Sequence, residues 1–204
     1  NKNNKGYNSP MEFDSYCYLA QMDLFENLFY RYNKWINNKD SGFSNSEFAD
    51  IPKNIQEQID VFSTYSTNLN FTYSVSDDLW SFIGNDLYRT VNLSLKNLQG
   101  KSIDLEEVLK GAELNKLINS KINPPTLTFP IYVKVGKSYR TFPKVPTGFK
   151  LDLLYIRTPK APKWTFINVN GNPVYDAGAS DRQDFELDEV LFSLLVTKIL
   201  SYSG

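Results

Sequence analysis

Residues Phe149 to Trp164 read Phe-Lys-Leu-Asp-Leu-Leu-Tyr-Ile-Arg-Thr-Pro-Lys-Ala-Pro-Lys-Trp. The first half alternates. Phe149, Leu151, Leu153 and Tyr155 fall on one face at period two, and Lys150 and Asp152 mark the other. Leu154 and Ile156 make the second face apolar from its middle onward, so the far end of this strand is expected to be covered on both sides. Pro159 and Pro162 then stop it, because proline has no N–H to donate to a ladder and pushes the residue before it away from helix. Arg157, Lys160 and Lys163 surround the two prolines, and Trp164 closes the run. A strand thus hands over to a stiff, basic, extended arm tipped by an aromatic. Such an arm suits holding another protein or a phosphate backbone better than it suits catalysis. Arg157, Pro159, Lys160, Pro162, Lys163 and Trp164 are therefore the candidate interface residues.

The charges of the chain are unevenly placed. The net charge is −1, but Thr128 to Trp164 holds eight basic residues against one acid, Asp152. Residues 1–127 hold 12 basic and 16 acidic residues, and residues 165–204 hold 2 and 6. A basic middle between acidic flanks suits head-to-tail packing of copies or an anionic partner; a solvated sheet face is the plain alternative. With 204 residues, 13 Tyr and 14 Phe the chain can bury a real core. It has no histidine, which removes Ser-His-Asp and Cys-His catalysis and His–metal sites. Its one cysteine, Cys17, lies in an apolar helical pattern and reads as a buried structural thiol. No apolar run approaches the ~20 residues of a membrane span.

Outward from the arm the pattern is α+β, with N-terminal and C-terminal helices packed together beside a small antiparallel β-sheet region. One domain over 1–204 is expected, with helices in 1–68, strands in 69–103, helix in 104–122, antiparallel strands in 128–180 and a closing helix in 184–203. Asn1 to Ser9 is polar. Ser9-Pro10 with Glu12 reads as a helix start. Phe13, Cys17, Ala20, Leu24 and Leu28 form one stripe; Tyr18, Met22, Phe25, Phe29, Tyr32 and Ile36 form a second beside it. A second helix is capped at Ser44 or Ser46, is interrupted at Ile51-Pro52, and resumes through Ile55, Ile59 and Phe62 to about Ser66. Leu69 to Val75 alternates. Leu79–Ile83 and Leu87–Leu95 are strands, and Gly84-Asn85-Asp86 reads as the turn of a hairpin between them. Asp104 with Glu107 resembles a capping box for the 104–122 helix, which Gly111 can break into a short turn and a second short helix, Glu113 to Ser120. Phe129–Val135 and Tyr139–Pro143 form a hairpin over Gly136-Lys137, and Asn170-Gly171 marks another. Asp184 caps the last helix, and Gly204 ends it.

Acidic groups at Asp77, Asp78 and Asp86, and from Asp176 to Glu189, read as turn and helix-start carboxylates rather than metal ligands. No cofactor, metal or catalytic residue is expected.

Leu114-Asn115-Lys116-Leu117 through Pro124-Pro125-Thr126, Phe129-Pro130-Ile131-Tyr132-Val133, the Tyr155-to-Trp164 pattern Tyr-Ile-Arg-x-Pro-x-x-Pro-Lys-Trp, and Asp184-Phe185-Glu186-Leu187 together resemble a structural neck protein of crAss-like and related tailed phages of Bacteroidota. The resemblance covers Asp104 to Gly204 well and the N-terminal helices loosely. It implies an adaptor or ring protein, a head-tail connector without enzymatic activity. It also implies a homo-oligomeric ring, dodecameric by analogy with portals, between the portal and the other neck and tail ring proteins. Viral DNA would pass through without sequence-specific binding and no membrane would be involved; the protein would be made in the host bacterial cytoplasm and end in the virion. Members of that family continue past the point where this chain stops, which implies a further C-terminal arm. Other virion roles (tail terminator, stopper, tail-barrel protein) fit the same resemblance. The aromatic-rich sheet keeps a carbohydrate- or receptor-binding module open, with exposed Trp and Tyr along a groove.

Overall fold

The computed structural model describes residues 8–39, 50–67, 71–109, 111–146 and 148–204, with side chains for all of these except 35–39 and 50–52. The chain is α+β and divides into two compact units. One is continuous, Ser63–Thr158; the other joins the two ends, Asn1–Phe62 and Pro159–Gly204.

The continuous unit is built of two sheets. Its strands are β1 (Ser63–Ser66), β2 (Phe71–Ser74), β3 (Leu79–Phe82), β4 (Leu87–Lys96), β5 (Ser102–Asp104), β6 (Glu106–Glu107), β7 (Ile131–Val135), β8 (Ser138–Phe142) and β9 (Lys150–Arg157). The four-stranded sheet has the order β1-β9-β4-β5, and the five-stranded sheet has the order β2-β3-β8-β7-β6. All pairings are antiparallel except β6 with β7. The expected small antiparallel region is thus larger than foreseen and mixed in direction.

Strand β9 runs between β1 and β4, so both of its backbone edges are paired. Leu151, Leu153 and Tyr155 point into a core shared with Leu93 and Leu95 of β4 and with Phe71, Trp80, Phe82, Tyr132 and Tyr139 of the other sheet. Tyr155 meets Phe82 edge-on at 5.2 Å, and Tyr139 of β8 bonds its hydroxyl to Thr90 of β4 at 2.8 Å, so both sheets close on one core. On the other face Asp152 is buried, not solvated as its charge suggests, and accepts a 2.8 Å bond from the Tyr65 hydroxyl of β1. A buried carboxylate needs such a donor.

Three expectations are corrected here. Helix α2 (Asp50–Asp60) stops before Ser66. Phe62 keeps the helical spacing only because a turn returns it to Phe25, ring to ring at 5.0 Å, while Ser63–Ser66 becomes β1. The 79–95 hairpin does not form. Gly84-Asn85-Asp86 instead carries the chain from one sheet to the other, and a Cβ at Gly84 would meet the Phe82 ring at 2.4 Å. The 104–122 helix shrinks to α3 (Gly111–Ile118). Leu105 and Val108 are buried three residues apart because this stretch crosses between the sheets: Leu105 N–H bonds Leu93 C=O at 2.9 Å, and Val108 N–H bonds Tyr132 C=O at 2.9 Å. The β7–β8 hairpin forms as read, whereas β3 takes β2 as its hairpin partner instead of the 87–95 strand.

The other unit contains α1 (Pro10–Lys39), α2, the hairpin β10 (Phe166–Val169) and β11 (Asn172–Tyr175), and α4 (Phe192–Ser203). Ser9 and Glu12 cap α1 reciprocally: the Ser9 N–H donates to Glu12 Oε2 at 2.8 Å and the Glu12 N–H to Ser9 Oγ at 3.3 Å. Cys17, Ala20, Leu24, Phe25 and Leu28 of α1 are buried with Ile55, Ile59 and Phe62. α1 and α4 pack together and share the ion pair Asp23–Lys198. Asn170 and Gly171 have φ of 51° and 82°, the two left-handed residues that a tight hairpin turn needs. The closing helix starts later than expected. Asp188, not Asp184, caps it through a 3.0 Å bond from Val190 N–H and a single 3₁₀ turn, Glu189–Leu191. Gly204 is its C-terminal cap, as read. The Ser44 or Ser46 cap and Leu69 lie outside the described residues.

Candidate functional site

The six candidate residues divide between the units. Arg157 ends β9 in the continuous unit, half-buried, with a long 3.5 Å bond from Nη1 to Thr158 C=O. The other five belong to the helical unit. Pro159 and Pro162 are buried there, while Lys160 and Lys163 are exposed and Trp164 is half-buried.

The arm is held by its own chain. Gln21 of α1 is fully buried; its Nε2 donates to Lys160 C=O at 2.7 Å and its Oε1 accepts from Glu186 N–H at 3.1 Å. Glu186 Oε2 in turn accepts the Lys160 N–H at 2.7 Å. Lys163 pairs its backbone with Gln183. The Trp164 N–H donates to Asp14 Oδ1 at 2.8 Å, and Thr165 Oγ1 donates to Asp176 C=O at 2.6 Å. Proline leaves an arm with few partners in a ladder, and side chains of α1 supply them instead. Gln21, Asp14 and Glu186 escaped the sequence reading. The available signal was Gln21 itself, a polar residue between Ala20 and Met22 beside both apolar stripes.

Two cations here, Lys163 and Arg182, are paired on the surface. Lys163 bonds Asp181, which raises the ammonium pKa and lowers that of the carboxylate. Arg182 bonds Asp184 at 2.6 Å and the Tyr175 hydroxyl at 3.1 Å. Burial first, then the Asp14 charge, pushes the Cys17 thiol up to about 11, so it stays protonated near neutrality, as a structural thiol does.

Around Trp164 the arm forms an aromatic group. Trp164 stacks with Phe166 at 5.6 Å and 21°, and with Tyr175 at 6.4 Å and 15°, while Phe13 meets it edge-on at 6.4 Å. Phe166 and Tyr175 are direct cross-strand partners in the β10–β11 hairpin, which places both rings on one face. A cleft of about 340 Å³ opens beside Trp164, between Phe13 and Asp14 of α1 and Tyr175, Arg182 and Asp184.

Two apolar surfaces remain uncovered, one in each unit. In the helical unit α4 buries only Leu195, while Phe192, Leu194, Val196, Leu200 and Tyr202 are exposed. In the continuous unit α3 buries no residue, and the segment around it exposes Leu109 at 83%, Ile122 at 96% and Phe129 at 76%.

The acidic turn residues have protein partners. Asp77 accepts from Ser74 and Ser76, Asp78 from Tyr73, and Asp86 from Tyr155. Among the described residues no group of three His, Cys, Asp or Glu is placed to hold a metal ion, and no helix is long and apolar enough to cross a membrane. Compared with known proteins, the chain matches no family model and no curated protein.

Proposed function

We propose that the chain is a structural subunit of a tailed-phage neck, one copy of a ring that joins the portal to the tail and continues the DNA channel. The motifs from Asp104 onward suggest the neck. The observation that carries assembly is the pair of unlike apolar surfaces, α4 in one unit and the 109–129 segment in the other. A ring closes when one surface meets a different surface on the next copy. Their charges are complementary: Asp184, Glu186, Asp188 and Glu189 precede α4, whereas Lys116 and Lys121 accompany α3. The arm supports a different role from the one its composition suggests. Its backbone is bonded within the chain, so it acts as a rigid strap that presents Lys160 and Lys163 to a neighbour.

Sedimentation of the chain, alone and with the portal protein added, tests this. Self-association is expected. Leu200→Glu on α4 and Phe129→Glu on the other surface should each block it, since both side chains are exposed and the fold does not depend on them. A mixture of the two variants should form dimers and stop, because each retains the surface the other lacks. A chain that stays monomeric at every concentration and ignores the portal would remove the reading.

A further inference from the structure

We propose that the cleft beside Trp164 is a binding site for a neutral sugar, a pyranose unit of an oligosaccharide. The neck reading assigns no ligand to this cleft, and the inference does not rest on it.

The first argument is shape. Trp164, Phe166 and Tyr175 form an offset-stacked series with ring planes within 21° of Trp164. Phe166 and Tyr175 keep 40% and 48% of their surface exposed. The ring faces not used in stacking on Trp164, that of Tyr175 in the cleft above all, suit the flat C–H face of a sugar. They do not suit a cationic head group, which is held by rings set around it. A cleft of about 340 Å³ is within the range of small-ligand sites, roughly 300–1,000 Å³.

Charge decides between sugar and nucleic acid. Aromatic platforms for single strands come with unpaired cations that follow the phosphates. Here both cations lining the cleft are taken, Lys163 by Asp181 and Arg182 by Asp184, and Asp14 adds a further carboxylate. A phosphate would meet only Arg182, whose charge Asp184 already balances. Hydroxyl groups do have partners. Asp14 uses Oδ1 on the Trp164 N–H and retains Oδ2 as an acceptor. Arg182 uses two of the five N–H groups of a guanidinium on Tyr175 and Asp184, and the rest remain donors.

The platform is also fixed before any ligand arrives. Backbone bonds at Lys163 and Trp164 to Gln183 and Asp14, and the Thr165 Oγ1 bond to Asp176 C=O, hold the chain on both sides of the indole. A preorganised ring loses little conformational freedom on binding.

The isolated chain would be titrated with maltohexaose and, separately, with tetra-N-acetylchitotetraose, following the backbone amide signals of Tyr175, Arg182 and Gln183 by nuclear magnetic resonance. Saturable displacement by at least one sugar is expected, with a Kd on the order of 1 mM or tighter. Trp164→Ala should abolish it. Tyr175→Ala should weaken it at least ~tenfold, and because Tyr175 is exposed this variant still reports if the tryptophan variant misfolds. No displacement by either sugar overturns the proposal, as does binding that both variants retain. Saturation by choline or by a thymidine oligonucleotide, with neither sugar binding, also overturns it. None of these outcomes touches the ring, which sedimentation reads separately.

Discussion

The continuous unit and the helical unit solve the same problem differently. In the continuous unit two sheets close on one aromatic and aliphatic core, and Leu93, Leu95, Leu151 and Leu153 have no exposed surface at all. The helical unit is gathered from both ends of the chain, relies on a fully buried glutamine to hold its arm, and leaves one side of α4 bare. Apolar burial keeps the first unit together without needing particular partners. Specific polar bonds fix the second, where an arm with two prolines cannot join a ladder. Both units keep surplus apolar surface, on α4 in the second and around α3 in the first.

The sharpest way to break that contrast is one substitution made in both units. Leu153→Ala in β9 should cost ~2–5 kcal/mol in denaturant unfolding, because the cavity is enclosed by both sheets. Leu195→Ala in α4 should cost clearly less, since the helix around it is already open to solvent and can settle. Equal losses would mean that the two units share one core.

Gln21→Leu comes next. It keeps the volume but strands Lys160 C=O and Glu186 N–H, at ~1–3 kcal/mol. Hydrogen exchange should quicken at the amides of Lys160 and Glu186 and stay unchanged at Leu93 and Leu153. Uniform acceleration would deny that the staple acts locally.

Alkaline pH separates the units by onset. Burial raises the pKa of Tyr132, Tyr139 and Tyr155 in the continuous unit, that of Tyr155 to about 12 from 10.0. These groups are protonated when folded and ionise more readily when unfolded. Their contribution is complete below pH 10 and is lost as pH rises towards 12. Cys17 does the same in the helical unit from pH 9.0 to about 11, so that unit should loosen first. Circular dichroism of the helices against the ring signals of Tyr132, Tyr139 and Tyr155 in nuclear magnetic resonance would follow the two losses. Ionisation of these three rings ahead of any helix loss would contradict the order.

The smallest effect is expected at Lys163→Ala. Its partner Asp181 is as exposed as it is, and solvent screens the pair. The melting temperature should not move measurably.

These contrasts also explain what could be read from the residues. The alternation in Phe149–Tyr155 and the Asn170-Gly171 turn are local signals, and both appear where the pattern puts them. Leu105 and Val108 misled because three-residue spacing fits a helix and also a short stretch that hands one side chain to each of two strands. Ile55, Ile59 and Phe62 misled in the same way: burial repeated at helical spacing after the helix had ended. The cleft was half visible. Trp164 and the basic residues stood out, but Asp14, Gln21 and Glu186 reach the arm from 139 or more residues away in two cases and 26 in the third, and no local pattern signals that.

The proposed neck assignment is tested most directly by cryo-electron microscopy of virions from a phage genome that encodes this chain, reconstructed without assuming where it sits. The account predicts a closed ring next to the portal, with the exposed face of α4 covered by the 109–129 segment of the adjacent copy. Density that places the chain only in a peripheral appendage, or a particle that lacks it, would contradict the account.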